Sequence, residues 1–418
     1  MKKTNETAML SHGYHASEYQ GSMKQPIFQT STYEFENAQQ GRNFFAWATG
    51  AEEMPEGEQL GGIYTRLGTP NTQLLEARLA VLDGTEQAVV FGSGMAAITS
   101  TLFELCAPGE VLLYTTPVYG GTDMFIHHYL QQYKVNTHLV LRGQTADEVM
   151  AEVGAKYPGA KVCAMYTETP SNPTMDLFSI KEARSIADAF STVEFSVPLI
   201  VDNTYMGPLF CKAHELGADI VVYSATKYLA GHSDVIAGAA TGSAEWMGRV
   251  RMARTFMGGI LGPMDSWLIL RSLETLHLRL RAQAENAGKV ATSLRSHPAV
   301  SSVRYLGNIE EWAPEQAAIF KQEYSSNGSM IALYIKGGQE ESFKVLDHLQ
   351  VIKLGVSLGS TESLAEHPAT MTHSKVAEEH KEALGITPSL IRLSIGVESS
   401  EDLITDLSQA LDLILPYL

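Results

Sequence analysis

Short apolar runs that end on polar or glycine-rich turns recur through the first two-thirds of the chain. Gln87–Phe91, Val111–Tyr114, Lys161–Tyr166, Pro198–Val201 and Ile220–Val222 each read as a buried strand, being short and uniformly apolar. Helical patterns lie between them. One begins at Thr72 with Leu74, Leu75, Leu79 and Leu82, and the run Gly92-Ser93-Gly94-Met95-Ala96-Ala97 opens another. This alternation over residues 69–265 predicts an α/β unit built on a mostly parallel sheet. From residue 266 to 418 the pattern changes. Trp267 to His277 and beyond reads as one long helix, and strands such as Ser329–Ile335 mix with helices such as Asp402–Leu415, an α+β arrangement suited to a smaller second unit. Residues 1–68 carry little periodicity apart from an extended stretch at Pro26–Tyr33. The Phe44–Trp47 cluster and the acidic, glycine-rich Glu52–Gly62 read as irregular, so an arm with a binding role or lying against a partner is expected there.

Length and charge narrow the classes. A chain of 418 residues suits two large units plus an arm, and 44% hydrophobic with 18% charged residues suits an ordinary globular protein. A net charge of −17 argues against nucleic acid or an anionic membrane as partner. No apolar run reaches membrane-spanning length, and the opening MKKTNETAMLSHGYH lacks a signal-peptide core. Cys106, Cys163 and Cys211 are odd in number and widely spaced, so neither a disulfide framework nor a metal site is expected. The expectation is a cytoplasmic protein.

The chemistry gathers at strand ends. Lys227 follows the apolar strand Ile220–Val222 through Tyr223, Ser224, Ala225 and Thr226, and a buried ammonium is costly unless paired, shifted or converted to an imine. The competing reading is a surface lysine on a corner. Gly92-Ser93-Gly94-Met95 joins a strand to a helix and aims free N–H groups at one point, as a phosphate cradle or simply a tight turn. Tyr119, beside Gly120 and Gly121, could stack on a flat ligand or merely pack. Asp202 ends the run PLIV, either as a buried acid or as a helix cap, and Pro170 and Pro173 fix the loop that carries Glu168 and Asn172. Arg66 between Tyr64 and Gly68 is an anion ligand or an exposed turn. Arg392, alone in the apolar strand LIRLSI, wants a bidentate acid, from a substrate carboxylate or an internal salt bridge. Such positions in an open α/β sheet fall in one crevice at the carboxyl ends of the strands. A phosphate cradle, a stacking ring, an acid and a lysine are the groups that pyridoxal 5′-phosphate (PLP) needs.

Read together, SATKYLAGHSD (Ser224–Asp234), YTRLGTPN, SGMAA, YGGT, ETPSNPT, VDNTY, SLGSTESL, HPATMTH and IRLSIG resemble, in order, the Cys/Met-metabolism family of PLP enzymes, which includes cystathionine γ-synthases and methionine γ-lyases. The resemblance covers nearly the whole chain. It implies the PLP-dependent transferase fold type I, with a large seven-stranded-type, mostly parallel sheet domain and a smaller C-terminal α+β domain. It implies that Lys227 carries the cofactor's aldehyde and moves the substrate's protons, that Asp202 pairs with the ring nitrogen, and that Tyr119 stacks on the ring. Gly94, Met95, Ser224 and Thr226 would hold the phosphate, and Tyr64 and Arg66 would reach the phosphate of a neighbouring subunit in a homotetramer. Arg392, with Asn172 and Ser357, would take the substrate's α-carboxylate. Glu168 and Thr204 would support the cofactor from behind.

The departures from the family pattern bear on the reaction. The resemblance implies a cysteine in methionine γ-lyases where Gly121 stands, and an arginine and a glutamate in cystathionine enzymes where Met124 and Val356 stand. A long dipolar substrate would then enter unpaired. The expected activity is α,γ-elimination from a four-carbon γ-substituted amino acid of the methionine or homocysteine kind, or canavanine if Gly121 leaves space, with Tyr119 protonating the leaving group. The alternative is γ-replacement on an acylated homoserine. The resemblance offers no counterpart for the insertion between about Asn43 and Leu60, which would shape the entrance.

Overall fold

The structure is a computed structural model that describes residues 4–58, 60–376 and 378–417. Its larger sheet holds β1 (Gln87–Phe91), β2 (Val111–Tyr114), β3 (Asn136–Leu139), β4 (Val162–Glu168), β5 (Leu199–Asp202), β6 (Ile220–Tyr223) and β7 (Gly238–Gly242). Their spatial order is β1-β7-β6-β5-β4-β2-β3. Neighbours run parallel except β7, which is antiparallel to β1 and β6. Every residue of β4, β5 and β6 is buried, because both faces of the sheet are covered. Successive side chains enter opposite cores: Met165, Val201 and Val221 join one cluster, while Tyr166, Ile200 and Val222 join the other.

Strands β1 and β2 lie where the apolar runs place them. Strands β4 and β5 begin one residue later than expected and extend to take in Glu168 and Asp202. β3 and β7, with the sequences NTHL and GAATG, carry weak strand preference and exist through pairing with their neighbours. The helix expected from Thr72 starts at Pro70, because Thr69 caps it in a reciprocal box with Thr72 and proline suits the first helical position.

The long helix expected from Trp267 is two helices, Pro263–Leu273 and Leu276–Leu294. Side chains take over the carbonyls at the break: Thr275 Oγ1 and Arg279 Nη2 both donate to Ser272 O, at 3.3 and 3.0 Å. Beyond them lies the second sheet, with β8 (Val300–Arg304), β9 (Met330–Ile335), β10 (Lys353–Leu354), β11 (Leu364–Glu366) and β12 (Leu390–Ser394) in the order β10-β11-β12-β9-β8. It is antiparallel apart from the β10–β11 pair.

The arm is more regular than expected. The Phe44–Trp47 cluster lies in a helix, Ala38–Ala48, capped by Asn37, whose side chain accepts from Gln40 N. The insertion at 43–60 therefore starts inside a helix, and its Gln59, like residues 1–3 of the arm, lies outside the described residues. The Pro26–Tyr33 stretch forms no strand: Thr30 N turns back to Phe28 O at 3.0 Å, and Thr32 alone bridges antiparallel to Tyr64. No described helix is long and apolar enough to cross a membrane.

Candidate active site

Three strand ends build the floor. Register pairs Glu168 at the end of β4 with Asp202 at the end of β5, so two carboxyl groups lie side by side in a buried setting. Burial raises the proton affinity of Asp202, and bonds from Thr204 oppose that rise. Thr204 Oγ1 and N donate to Asp202 Oδ1 at 2.6 and 3.0 Å, and Tyr166 OH donates to Oδ2 at 3.2 Å. Burial, and then the charge of Asp202, push the Glu168 carboxyl well up. Glu168 accepts the backbone N–H of Tyr119 at 2.6 Å and so fixes the residue that presents the aromatic ring. Thr204 Oγ1 also accepts from Ser224 N at 2.9 Å, tying Asp202 to the turn that follows β6. The expected supporting roles of these two residues thus have definite targets.

Lys227 leaves that turn and donates from Nζ to Ser357 Oγ at 2.9 Å. Burial first, then the charge of Arg392, lower its pKa to about 8, with Glu366 opposing. Among the described residues no carboxylate forms an ion pair with it. Opposite, Ser93 caps the helix Gly94–Leu105, so the amides of Gly94 and Met95 stand at a helix N-terminus. A Cβ on Gly94 would lie 2.9 Å from Ser224 Cβ, and one on Gly238 2.1 Å from Ser93 O. Only glycine lets these loops close into a backbone-lined cradle. The Thr226 hydroxyl donates to Ala237 O and accepts from Ala237 N, at 3.1 and 2.9 Å, and so braces the cradle wall.

The cradle, the half-exposed Tyr119 ring, the Asp202 carboxylate and the buried Lys227 amine, whose proton affinity is lowered, together fit a phosphorylated, cationic aromatic aldehyde. Asp202 would face the ring nitrogen, Lys227 the aldehyde, and Gly94, Met95 and Ser224 the phosphate.

Arg392, in the middle of β12, donates to Asn172 Oδ1 at 3.1 Å and to the carbonyl oxygens of Val356 and Ser357 at 3.0 Å each. The expected carboxylate ligands are therefore together. Arg392 also forms a buried ion pair with Glu366 at 2.7 Å, so the alternative of an internal salt bridge holds as well. Sequence reasoning missed Glu366, and with it Thr372 and His373 from the same segment. Thr372 Oγ1 donates to Glu366 Oε1 at 2.9 Å, and burial followed by the Arg392 charge lower the His373 pKa to about 4. The signal available was an acid directly before the HPATMTH motif.

Gly121 does not leave the expected space. A Cβ there would meet Tyr119 Cε1 at 2.6 Å and Met95 Sδ at 3.1 Å, because the ring lies over this glycine. Met124 and Val356 are both exposed, the first ending the helix Gly120–Met124 and the second in the segment whose carbonyls accept from Arg392. Within one chain, Tyr64 and Arg66 do not join the group. Arg66 donates to Thr255 O at 3.1 Å and sits 5.7 Å from the Tyr64 ring centre.

Known proteins match this arrangement over its full length. The family model described as Cys/Met metabolism PLP-dependent enzyme matches residues 6–412. The chain is 37% identical to the L-methionine gamma-lyase of Pseudomonas putida, covering 97% of this chain and 96% of that protein. It is 40% identical to that of Porphyromonas gingivalis, covering 94% and 93%. The crystal structure of cystathionine gamma synthase from Xanthomonas oryzae pv. oryzae superposes with a TM-score of 0.87 at 30% identity, covering all of both chains. The chain belongs to the Cys/Met metabolism family of PLP-dependent enzymes, and PLP is the cofactor that its strand-end crevice is built to hold.

Proposed function

We propose that this enzyme performs α,γ-elimination on a four-carbon α-amino acid carrying a heteroatom leaving group at Cγ, of the methionine or homocysteine kind. With water consumed, the products are 2-oxobutanoate, ammonia and the released thiol. The observation that carries this reading is the distal end of the site. Met124 and Val356 offer no charge there, so the far ammonium and carboxylate of a cystathionine-like substrate would go unpaired, at ~1–3 kcal/mol each.

Bound PLP supplies an aldehyde that holds the substrate amine and a ring that withdraws electrons from it. Arg392, with Asn172 and the Ser357 loop, fixes the α-carboxylate. Lys227, its amine free, would take the α-proton and then move one from Cβ. Tyr119 gives a proton to the departing γ-heteroatom. Asp202, held by Thr204 and Tyr166, keeps positive charge at the ring nitrogen. In the assembled protein, Tyr64 and Arg66 from the arm (1–68) reach the phosphate site of a neighbouring subunit. The large unit (69–265) and the C-terminal unit (266–418) close the crevice, and two such dimers form a cytoplasmic homotetramer.

γ-Replacement on an acylated homoserine would use the same residues, and likeness to a cystathionine gamma synthase favours it as the second reading. The deciding experiment measures 2-oxobutanoate from methionine, homocysteine and canavanine against thioether or thiol product from O-acetylhomoserine plus sulfide. No 2-oxobutanoate from any γ-substituted amino acid would sink the elimination reading.

A further inference from the structure

The guanidinium of Arg392 already has four partners. Nη1 is ion-paired with Glu366 at 2.7 Å and donates to Asn172, and Nη2 donates to the carbonyls of Val356 and Ser357. A substrate carboxylate has to take N–H groups from partners already in place. Only one of these partners carries charge. Glu366 faces Arg392 across the β11–β12 ladder, and its side chain is 0% exposed. One oxygen is ion-paired with Arg392 and accepts from Thr372, while the other, Oε2, is buried without a hydrogen-bond partner. None of the steps above uses this carboxylate.

We propose that Glu366 is a positioning residue that balances the charge of Arg392 and competes with the substrate's α-carboxylate for the guanidinium. Two anions on one buried guanidinium repel each other, so the resident carboxylate weakens the incoming one. The same charge reaches the lysine: Arg392 lowers the proton affinity of Lys227 and Glu366 raises it. The other titratable groups that feel this pair are Tyr205, which feels Arg392 and then Glu366, and Tyr228, Glu168 and His373, which feel Arg392.

The inference rests on Arg392 being the carboxylate anchor, not on which bond the enzyme breaks. The test therefore uses the PLP-loaded enzyme with butanoate as a non-reacting competitor and butylamine as the control without a carboxylate. Glu366→Gln keeps the shape and one acceptor oxygen. It should lower the butanoate inhibition constant roughly three- to tenfold and leave that of butylamine unchanged. The visible cofactor band should titrate at lower pH in the variant. Glu366→Asp, which keeps the charge, should stay within about twofold of wild type and keep the original titration. A purely structural glutamate predicts the reverse: weaker butanoate binding in both variants and an unmoved band. That result, or an unchanged constant in a folded Glu366→Gln, overturns the proposal. Unchanged butanoate inhibition in Arg392→Gln overturns the anchor and this inference with it, while elimination activity could still stand.

Discussion

Lys227 and Ser357 meet at 2.9 Å, amine to hydroxyl, joining the turn after β6 to the loop that lies over Arg392. The amine is buried, and burial with the Arg392 charge brings its pKa down to about 8. The sign follows directly. Below pH 8 most of the amine is protonated and cannot attack an aldehyde, and above it the neutral form dominates. Capture of PLP by the apoprotein should therefore accelerate ~10-fold between pH 7 and pH 9, then level off. Growth of the visible absorption band measures it, and a flat profile would remove the lowered pKa from the account.

Thr204 is a cheap residue to remove and an informative one. Thr204→Val deletes the 2.6 Å bond to Asp202 and the acceptor for Ser224 N. A loss of about 1–3 kcal/mol in stability is expected, with faster cofactor loss on dialysis. A variant that keeps PLP like wild type would separate the strand-end acid from the phosphate turn.

Charge at positions 124 and 356 should steer substrate choice. Met124→Arg combined with Val356→Glu supplies partners for a distal carboxylate and ammonium. The ratio of kcat/KM for cystathionine over methionine should rise about 10- to 100-fold. An unchanged ratio would move the selectivity elsewhere in the pocket.

His373 should make the protein acid-sensitive. Its folded pKa is lowered to about 4, by burial first and then by Arg392, whereas an unfolded histidine titrates near ~6.5. Between those values the unfolded state binds more protons, so stability falls as pH drops through that window, by up to about 3 kcal/mol from this group. Urea unfolding at pH 7 and pH 4.5 should show a smaller difference in His373→Gln. An equal difference would assign the acid sensitivity to the carboxylates.

Much of this was legible because burial writes itself into the chain. A strand covered on both faces is an apolar run, and the polar residue closing the run marks the strand end, as Asp202 does, with Lys227 in the turn that follows β6. The unread parts depend on pairing that no local pattern carries. Glu366 ends a three-residue strand, and its partner Arg392 is reached only through β-ladder register. The break at Glu274–Thr275 hides in unbroken leucine spacing, and Gly238–Gly242 becomes a strand only between β1 and β6. At Gly121 the residue type suggested space, whereas the neighbouring Tyr119 ring occupies it.

The helix pair at 263–294 decides how the chain can be cut. Ile269, Leu270, Leu273, Leu276 and Leu280 are buried in the same core as β5 and β6, whereas Val290, Ala291 and Leu294, later in the second helix, belong to the core of the second sheet. A fragment ending at residue 265 would lose five large side chains from its own interior. At roughly 2 kcal/mol each, that loss is on the order of 10 kcal/mol, as much as a typical domain has in total. Truncation there should yield insoluble protein rather than an isolated cofactor-binding module. The second helix is a girder shared by two buildings, and neither stands once it is sawn through.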